Sequence, residues 1–346
     1  MSLVQFEFDV TNCFIGKSRH WIAVGTMAIA CCGLLASSAM AFAPPIHPAL
    51  TLAARQDDEA ANNIAQTAFN AQNEGAFEFA AKQWEKLIAD HPTSPLIGKA
   101  YYNAGVCSLQ INEYEKAIEY FKASLTKLDK SQTTQIPQAN LYLGYTQFER
   151  GKQLTATDST KSKQLLTTAT QTFGNLLTQH PKFEDLDQVC YFQGNAFNEL
   201  KRLEDALTSY QQMIKYPKQT FKLEGLYAVA DMQSKLGQHT DALASFEKVQ
   251  AVAKTDESPL LNDIEERIGA TLIRLSIADE ESGDQPAAEE KLSRAKRVLQ
   301  SVLQSESESN SNEISEIADD AQYQLANCLR RLGDFEASAT AFQSLS

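Results

Sequence analysis

Pairs of neighbouring acids are the residues whose type could do chemistry, as in Asp57-Asp58, Glu265-Glu266, Glu280-Glu281 and Asp319-Asp320. Two carboxylates can divide general acid and base work when they converge on one bond. Consecutive residues of a helix point about 100° apart, so these pairs diverge and are expected on solvated faces. Gly16-Lys17-Ser18 ends like a phosphate-binding loop, but position 11 is Thr where such a loop needs Gly. Of the six cysteines, Cys13, Cys31 and Cys32 lie near the N-terminus, while Cys107, Cys190 and Cys328 are far apart and expected as small buried hydrophobes. The five histidines are scattered too, and no Cys or His pair has the spacing of a metal site or a disulfide framework. These residues predict no catalytic group, no cofactor and no metal centre.

Charge narrows the partners. The chain of 346 residues carries 44 acidic against 31 basic side chains, a formal charge of −13. That sign argues against nucleic acid, whose phosphates reward clustered Lys and Arg, and no basic run with interleaved aromatics occurs. Composition is otherwise ordinary for a soluble protein, with 43% hydrophobic and 22% charged residues.

The elements that carry these residues repeat. Gly98 to Leu128 reads as two amphipathic helices joined by a tight turn at Asn112. Small residues (Ala104, Gly105, Ala117) mark where the helices approach, and Tyr101, Tyr114 and Phe121 fill the space between. The pattern of a small residue followed four later by a bulky one recurs: Ala80 with Trp84, Ala117 with Phe121, Ala169 with Phe173, Ala206 with Tyr210, Ala242 with Phe246, Ala288 with Leu292, Ser338 with Phe342. Aromatics make up only 9% of the chain yet fill six of those seven bulky places, so chance is a poor explanation. A second small residue precedes each anchor by twelve, at Ala68, Gly105, Gly194, Ala230, Ser276 and Ala326, with Gly144 displaced by an insertion. Turns are expected at Gly75, Asn112, Gly151, Gly237, Gly283 and Gly333.

Repeat starts near 61, 98, 137, 187, 223, 269 and 319 are spaced 36 to 50 residues apart. The spread reflects elongated helices and insertions. Ser94-Pro95 and Ser258-Pro259 read as N-caps followed by first-turn prolines. Leu261, Ile264, Ile268, Leu272 and Leu275 form one apolar stripe over more than four turns. The Thr/Ser/Lys-rich stretch from Gly151 to Gln164 and the polar Ser305 to Asn312 are expected as solvated loops.

With Tyr101 at the Trp position of the motif W-x2-L-G-x2-Y…A-x3-F, Gly105 at the Gly, Ala117 at the Ala and Phe121 at the Phe, the hairpin resembles a tetratricopeptide repeat. The resemblance covers about 61–346 and implies an all-α, right-handed α-α superhelical solenoid of about seven hairpins, each burying its apolar face against its neighbours. It also implies a protein or peptide partner gripped by the first helices. Carried onto the matching positions, it points to Tyr102, Tyr145, Tyr191, Asn195, Asn198, Tyr227, Asp231 and Tyr323 as the binding groove. The alternative role for these tyrosines is packing between helices. Chaperone-tail receptors of this family hold a terminal carboxylate with Lys, Asn and Arg. Ala65, Phe69, Tyr102 and Val106 stand at those positions here, so that clamp is not expected.

The N-terminal segment adds a location. Lys17, Arg19 and His20 precede an uncharged stretch from Trp21 to Ala43 that contains Ala39-Met40-Ala41. This reads as a secretory signal cut after Ala41, or as an uncleaved anchor in the inner membrane, with a lipoprotein cut before Cys31 as a third option. Pro44, Pro45 and Pro48 lie in an expected tether over 42–60. The endings His91-Pro92-Thr93-Ser94-Pro95 and His180-Pro181 are similar to those of bacterial envelope members of the family, among them outer-membrane assembly lipoproteins and a division coordinator. The expectation is therefore an exported interaction scaffold of the cell envelope. The alternative is a self-assembling component, with Phe335, Phe342 and Leu345 left uncovered at the last hairpin and the oligomer open.

Overall fold

The computed structural model describes residues 48–128, 135–218, 220–308 and 316–345. Contacts divide the chain into 1–50, of which the start of the first helix is described, and 51–346, which holds the array. The signal or anchor expected at 21–43 lies outside the described residues. No helix among the described residues is long and apolar enough to cross a membrane.

The described residues form fourteen α-helices and no strand. They are α1 (Pro48–Asn73), α2 (Phe77–Asp90), α3 (Ile97–Gln110), α4 (Tyr114–Lys127), α5 (Gln135–Leu154), α6 (Ser159–Gln179) and α7 (Leu186–Glu199). There follow α8 (Leu203–Met213), α9 (Lys222–Lys235), α10 (His239–Thr255), α11 (Leu261–Ser282), α12 (Gln285–Glu308), α13 (Glu316–Arg331) and α14 (Phe335–Gln343). They pair into seven hairpins, odd-numbered helix first. Each helix packs on its hairpin partner and on the helix that follows, which is the geometry of a solenoid. Apolar side chains gather in successive clusters. One joins Ala68, Trp84, Leu87 and Ala104, and another joins Phe246, Ile268, Leu299 and Leu325.

The small-under-ring pattern is the packing rule. A Cβ added to Gly105 would stand 2.9 Å from the Phe121 ring, one on Gly144 2.5 Å from Phe173, and one on Gly194 2.6 Å from Tyr210. Each ring lies directly on the backbone of the first helix, and Ala117, Ala169 and Ala206 are fully buried one turn before those rings, as is Ala242 one turn before Phe246. Phe121 also stacks on Tyr142 at 5.6 Å, so the same ring ties hairpin two to hairpin three. Cys107, Cys190 and Cys328 are buried. Burial pushes the Cys190 thiol up to about 12 and that of Cys328 to about 11, which leaves both as protonated, apolar-like side chains.

Several features differ from the sequence reading. Gly151 is no turn; it lies inside α5, where an added Cβ would meet Leu166 at 2.8 Å. The fourth hairpin, for which no turn residue was expected, turns through Lys201 at φ 60°, and Asn112 at 63° and Gly75, Gly237, Gly283 and Gly333 are left-handed as expected. The 151–164 insertion is helical rather than looped. It lengthens α5 to Leu154 and starts α6 at Ser159, with the Asp158 carboxylate accepting from the Lys161 N–H at 2.9 Å. Likewise α12 runs through Ser305 to Glu308, and the tether expected over 42–60 is helical from Pro48.

The two Ser-Pro entries are turns ahead of the helices rather than caps with first-turn prolines. Ser94 Oγ accepts from the Leu96 N–H at 3.2 Å and Ser258 Oγ from the Leu260 N–H at 3.3 Å, but α3 begins at Ile97 and α11 at Leu261, with Leu96 and Leu260 as N-caps that make no side-chain capping bond.

Candidate partner-binding face

The first helices of the second, fourth, fifth and last hairpins place a tyrosine at the same position, with Ala65, Leu141 and Ile273 standing there in the other three. Tyr102 packs edge-on against Phe121 at 6.0 Å, Tyr191 tilts on Tyr210 at 6.1 Å, and Tyr227 and Tyr323 meet Phe246 and Phe342 at 5.9 Å each. The repetition has a simple cause. The ring at the centre of each hairpin, seated on the small residue of the first helix, leaves room at one height for a second ring beside it. Tyr145 packs at 4.9 Å on Phe192, and Tyr191 stacks at 4.7 Å on Phe221 from the loop before α9. Tyr102, Tyr145, Tyr191 and Tyr227 are half-buried, whereas Tyr323 is 51% exposed and is the open end of the column.

The polar members are engaged by the fold. Asn195 accepts a hydrogen bond from the Tyr210 hydroxyl at 2.6 Å. Asp231 pairs with Lys235 at 2.7 Å. Asn198 is half-buried at the end of α7. Burial pushes the Tyr227 phenol up, and the charge of Asp263 together with its hydrogen bond adds to the shift.

Sequence reasoning missed a row of carboxylates on this same face. Glu224 and Asp320 precede Tyr227 and Tyr323 by three residues, one helical turn, and Asp263 and Glu266 precede Ile273 by ten and seven. That i−3 spacing was the available signal. The pair Glu265-Glu266, expected on a solvated face, is buried at 8% and 5% exposure because the elongated α11 is clasped between α10 and α13. Glu265 accepts from Gln250 at 2.8 Å and pairs with Lys254 at 3.2 Å, both on α10. Glu266 pairs with Arg267, whose Nε stands at 3.6 Å. Of the other acid pairs, Asp58, Glu281, Asp319 and Asp320 are exposed, and Glu280 pairs with Arg331.

Burial pushes the Glu266 carboxyl up to about 7; Arg267 pulls it back, and the charges of Asp320 and Asp263 raise it further. The folded chain thus keeps this proton to about pH 7, whereas the unfolded chain releases it near 4.5. The folded state binds more protons across that window, so this group's contribution to stability falls as pH rises through it. Glu266→Gln is therefore expected to stabilise the chain by roughly 3 kcal/mol at most at pH 8 and to change little below pH 4.5. Urea unfolding of both chains at the two pH values checks this.

These hairpins, their rings seated on small residues and their first helices forming one face, define an all-α repeat solenoid. Tetratricopeptide repeat family models match residues 70–132 and 320–346, the first spanning the second hairpin and the other the last. Residues 70–132 and 320–346 thus carry tetratricopeptide repeats. Solved structures agree in fold. A tetratricopeptide repeat protein from Parabacteroides merdae aligns over 83% of this chain and 92% of its own at 11% identity and TM-score 0.50. The C-terminal part of a TPR repeat-containing protein from Cytophaga hutchinsonii aligns over 80% and 98% at 15% identity and TM-score 0.50. No curated protein matches the sequence.

Proposed function

We propose that the chain is an exported interaction scaffold of the bacterial cell envelope that holds a peptide or protein partner against the face formed by its first helices. The observation that carries this reading is the tyrosine at the same position of α3, α7, α9 and α13, where Tyr102, Tyr191 and Tyr227 pack on the second-helix rings and Tyr323 is exposed. Amphipathic rings at regular height supply large contact area at small entropic cost. Export is supported by the basic flank, the uncharged 21–43 stretch and Ala39-Met40-Ala41. Alkaline phosphatase fused after Ser346 is expected to be active in a bacterial host, and an inactive fusion would refute export.

Tyr323→Ala is expected to leave helical content and thermal stability close to those of the parent while weakening retention of partners on the tagged protein several-fold. Unchanged retention would remove the column from the binding account. A second reading, association of copies, is favoured by one observation. Leu325, Leu329, Ala337 and Ala341 line a groove at the last hairpin, beside Phe335, which is 70% exposed. Light scattering at tens of micromolar separates the two, since a monomer contradicts association.

A further inference from the structure

The start of α7 and the loop ahead of α9 meet in a group of buried oxygens at the junction of hairpins four and five. Asp187, in the first turn of α7, is fully buried. Its Oδ2 accepts from the Thr220 N–H at 2.7 Å, while its Oδ1 has no partner among the described residues. Thr220 Oγ1 has none either, so two buried, unpartnered oxygens flank one hydrogen bond. Asp185 stands at the N-cap of α7 but makes no side-chain cap; its Oδ1 is held instead by Gln188 Nε2 at 3.0 Å and by Lys218. Gln188 is 1% exposed, and its Oε1 is also without a partner. Lys218 draws the group together. Burial lowers its amine, but the Asp185 hydrogen bond and the charges of Asp185, Glu184 and Asp187 outweigh that and raise it.

We infer that this junction binds one hard divalent cation of the calcium class, ligated by Asp187, Thr220 and Gln188, and by Asp185 once Lys218 has left it. Carboxylate, hydroxyl and amide oxygens are the donor set such an ion takes, and nitrogen or sulfur ligands are not needed. Charge decides against a water as the sole occupant. A water satisfies acceptors, but it leaves the two carboxylates and Lys218 with one net negative charge in a buried place. A divalent ion balances both carboxylates when Lys218, whose side chain is 45% exposed, turns out to solvent. A partner's lysine is a poor occupant, because Asp187 has no exposed surface for it to reach. The bound ion fastens hairpin four to hairpin five through Asp187 and Thr220. The partial positive charge at the start of α7 and α9 opposes it, which places the affinity in the weak class, on the order of 10⁻⁴ M. Only two of the donors are acids and the rest are uncharged oxygens, so the spacing of Cys and His carries no trace of the site.

Calorimetric titration of calcium into the full, chelator-treated chain is the test. One saturable site per chain is expected, and the thermal midpoint is expected to rise by about 2–4 °C in millimolar calcium. Asp187→Asn keeps an acceptor for the Thr220 N–H but removes a charged ligand, and is expected to weaken binding at least tenfold. Thr220→Val, which keeps the N–H that Asp187 uses, repeats the test should the Asp187→Asn chain lose helicity, with a severalfold loss expected. Lys218→Met removes the competing ammonium; it is expected to lower the calcium-free midpoint and to tighten calcium binding severalfold. The control is Asp241→Asn/Glu289→Gln/Glu290→Gln at exposed positions of second helices, with affinity expected to stay within twofold of the parent. No saturable heat and no midpoint shift in the parent chain would mean that water alone fills the junction, and would overturn the site. Binding unchanged in Asp187→Asn, or weakened as much in the exposed triple, would place the calcium on surface acids and overturn it as well. Weaker binding in Lys218→Met would refute the exchange of ammonium for calcium.

Discussion

Phe121→Ala is expected to lower the stability of the chain by about 3–5 kcal/mol, with urea unfolding read by circular dichroism as the check. The ring is fully buried, rests on the Gly105 backbone, stacks on Tyr142 of the third hairpin and meets Tyr102 edge-on. Removing it empties the centre of one hairpin and cuts its tie to the next. In a linear array the second loss matters as much as the first, because isolated hairpins are marginal and neighbour contacts hold them folded. A change under about 1 kcal/mol would mean that the hairpins do not depend on their central rings.

Gly194→Val is the complementary change, adding bulk where the second helix comes closest. Its Cβ would stand 2.6 Å from the Tyr210 ring, and the branched carbons would reach further into it. Tyr210 cannot retreat, since its hydroxyl is held by Asn195 and Tyr191 packs beside it. The expected cost is about 3–5 kcal/mol, with the two halves of the array unfolding in separate transitions. Gly174→Ala is the contrast. That glycine is also helical, but an added Cβ meets only the Gln193 side-chain amide at 3.5 Å, so a gain of about 0.5–1 kcal/mol is expected from helix propensity.

Much of the fold was legible because the pattern that reports it is also the contact that makes it. A small residue sixteen before a ring, as in Gly105 and Phe121 or Gly194 and Tyr210, is the place where that ring touches backbone. In the third hairpin the same pair, Gly144 and Phe173, is separated by twenty-nine residues, and the sequence does not say whether the surplus loops out or lengthens the helices. Thr, Ser and Lys at 155–163 suit a loop, but they equally suit the exposed sides of long helices closed by the Asp158 cap. Gly151 misled for a related reason, since a glycine ending a turn and a glycine under Leu166 look alike until the partner helix is placed. Lys201 carried no signal at all; its left-handed backbone is imposed by the hairpin, not invited by the side chain.

The candidate site was half legible. The positions of the tyrosines were expected, whereas their packing against the second-helix rings depends on the distance between helices, which no single-chain periodicity encodes. Glu266 was misplaced for the same reason. On an isolated helix it belongs to a charged, solvated run from Asp263 to Arg267, and only the approach of α13 buries it.

The central claim is that partners meet the first-helix face, and photocrosslinking in the producing cell addresses it most directly. A benzoylphenylalanine residue at position 323, on that face, is compared with one at position 79, an equally exposed ring on second helix α2. The account predicts a discrete crosslinked adduct from position 323 and none from position 79. Adducts from position 79 alone would place the partner on the other side of the solenoid and contradict it.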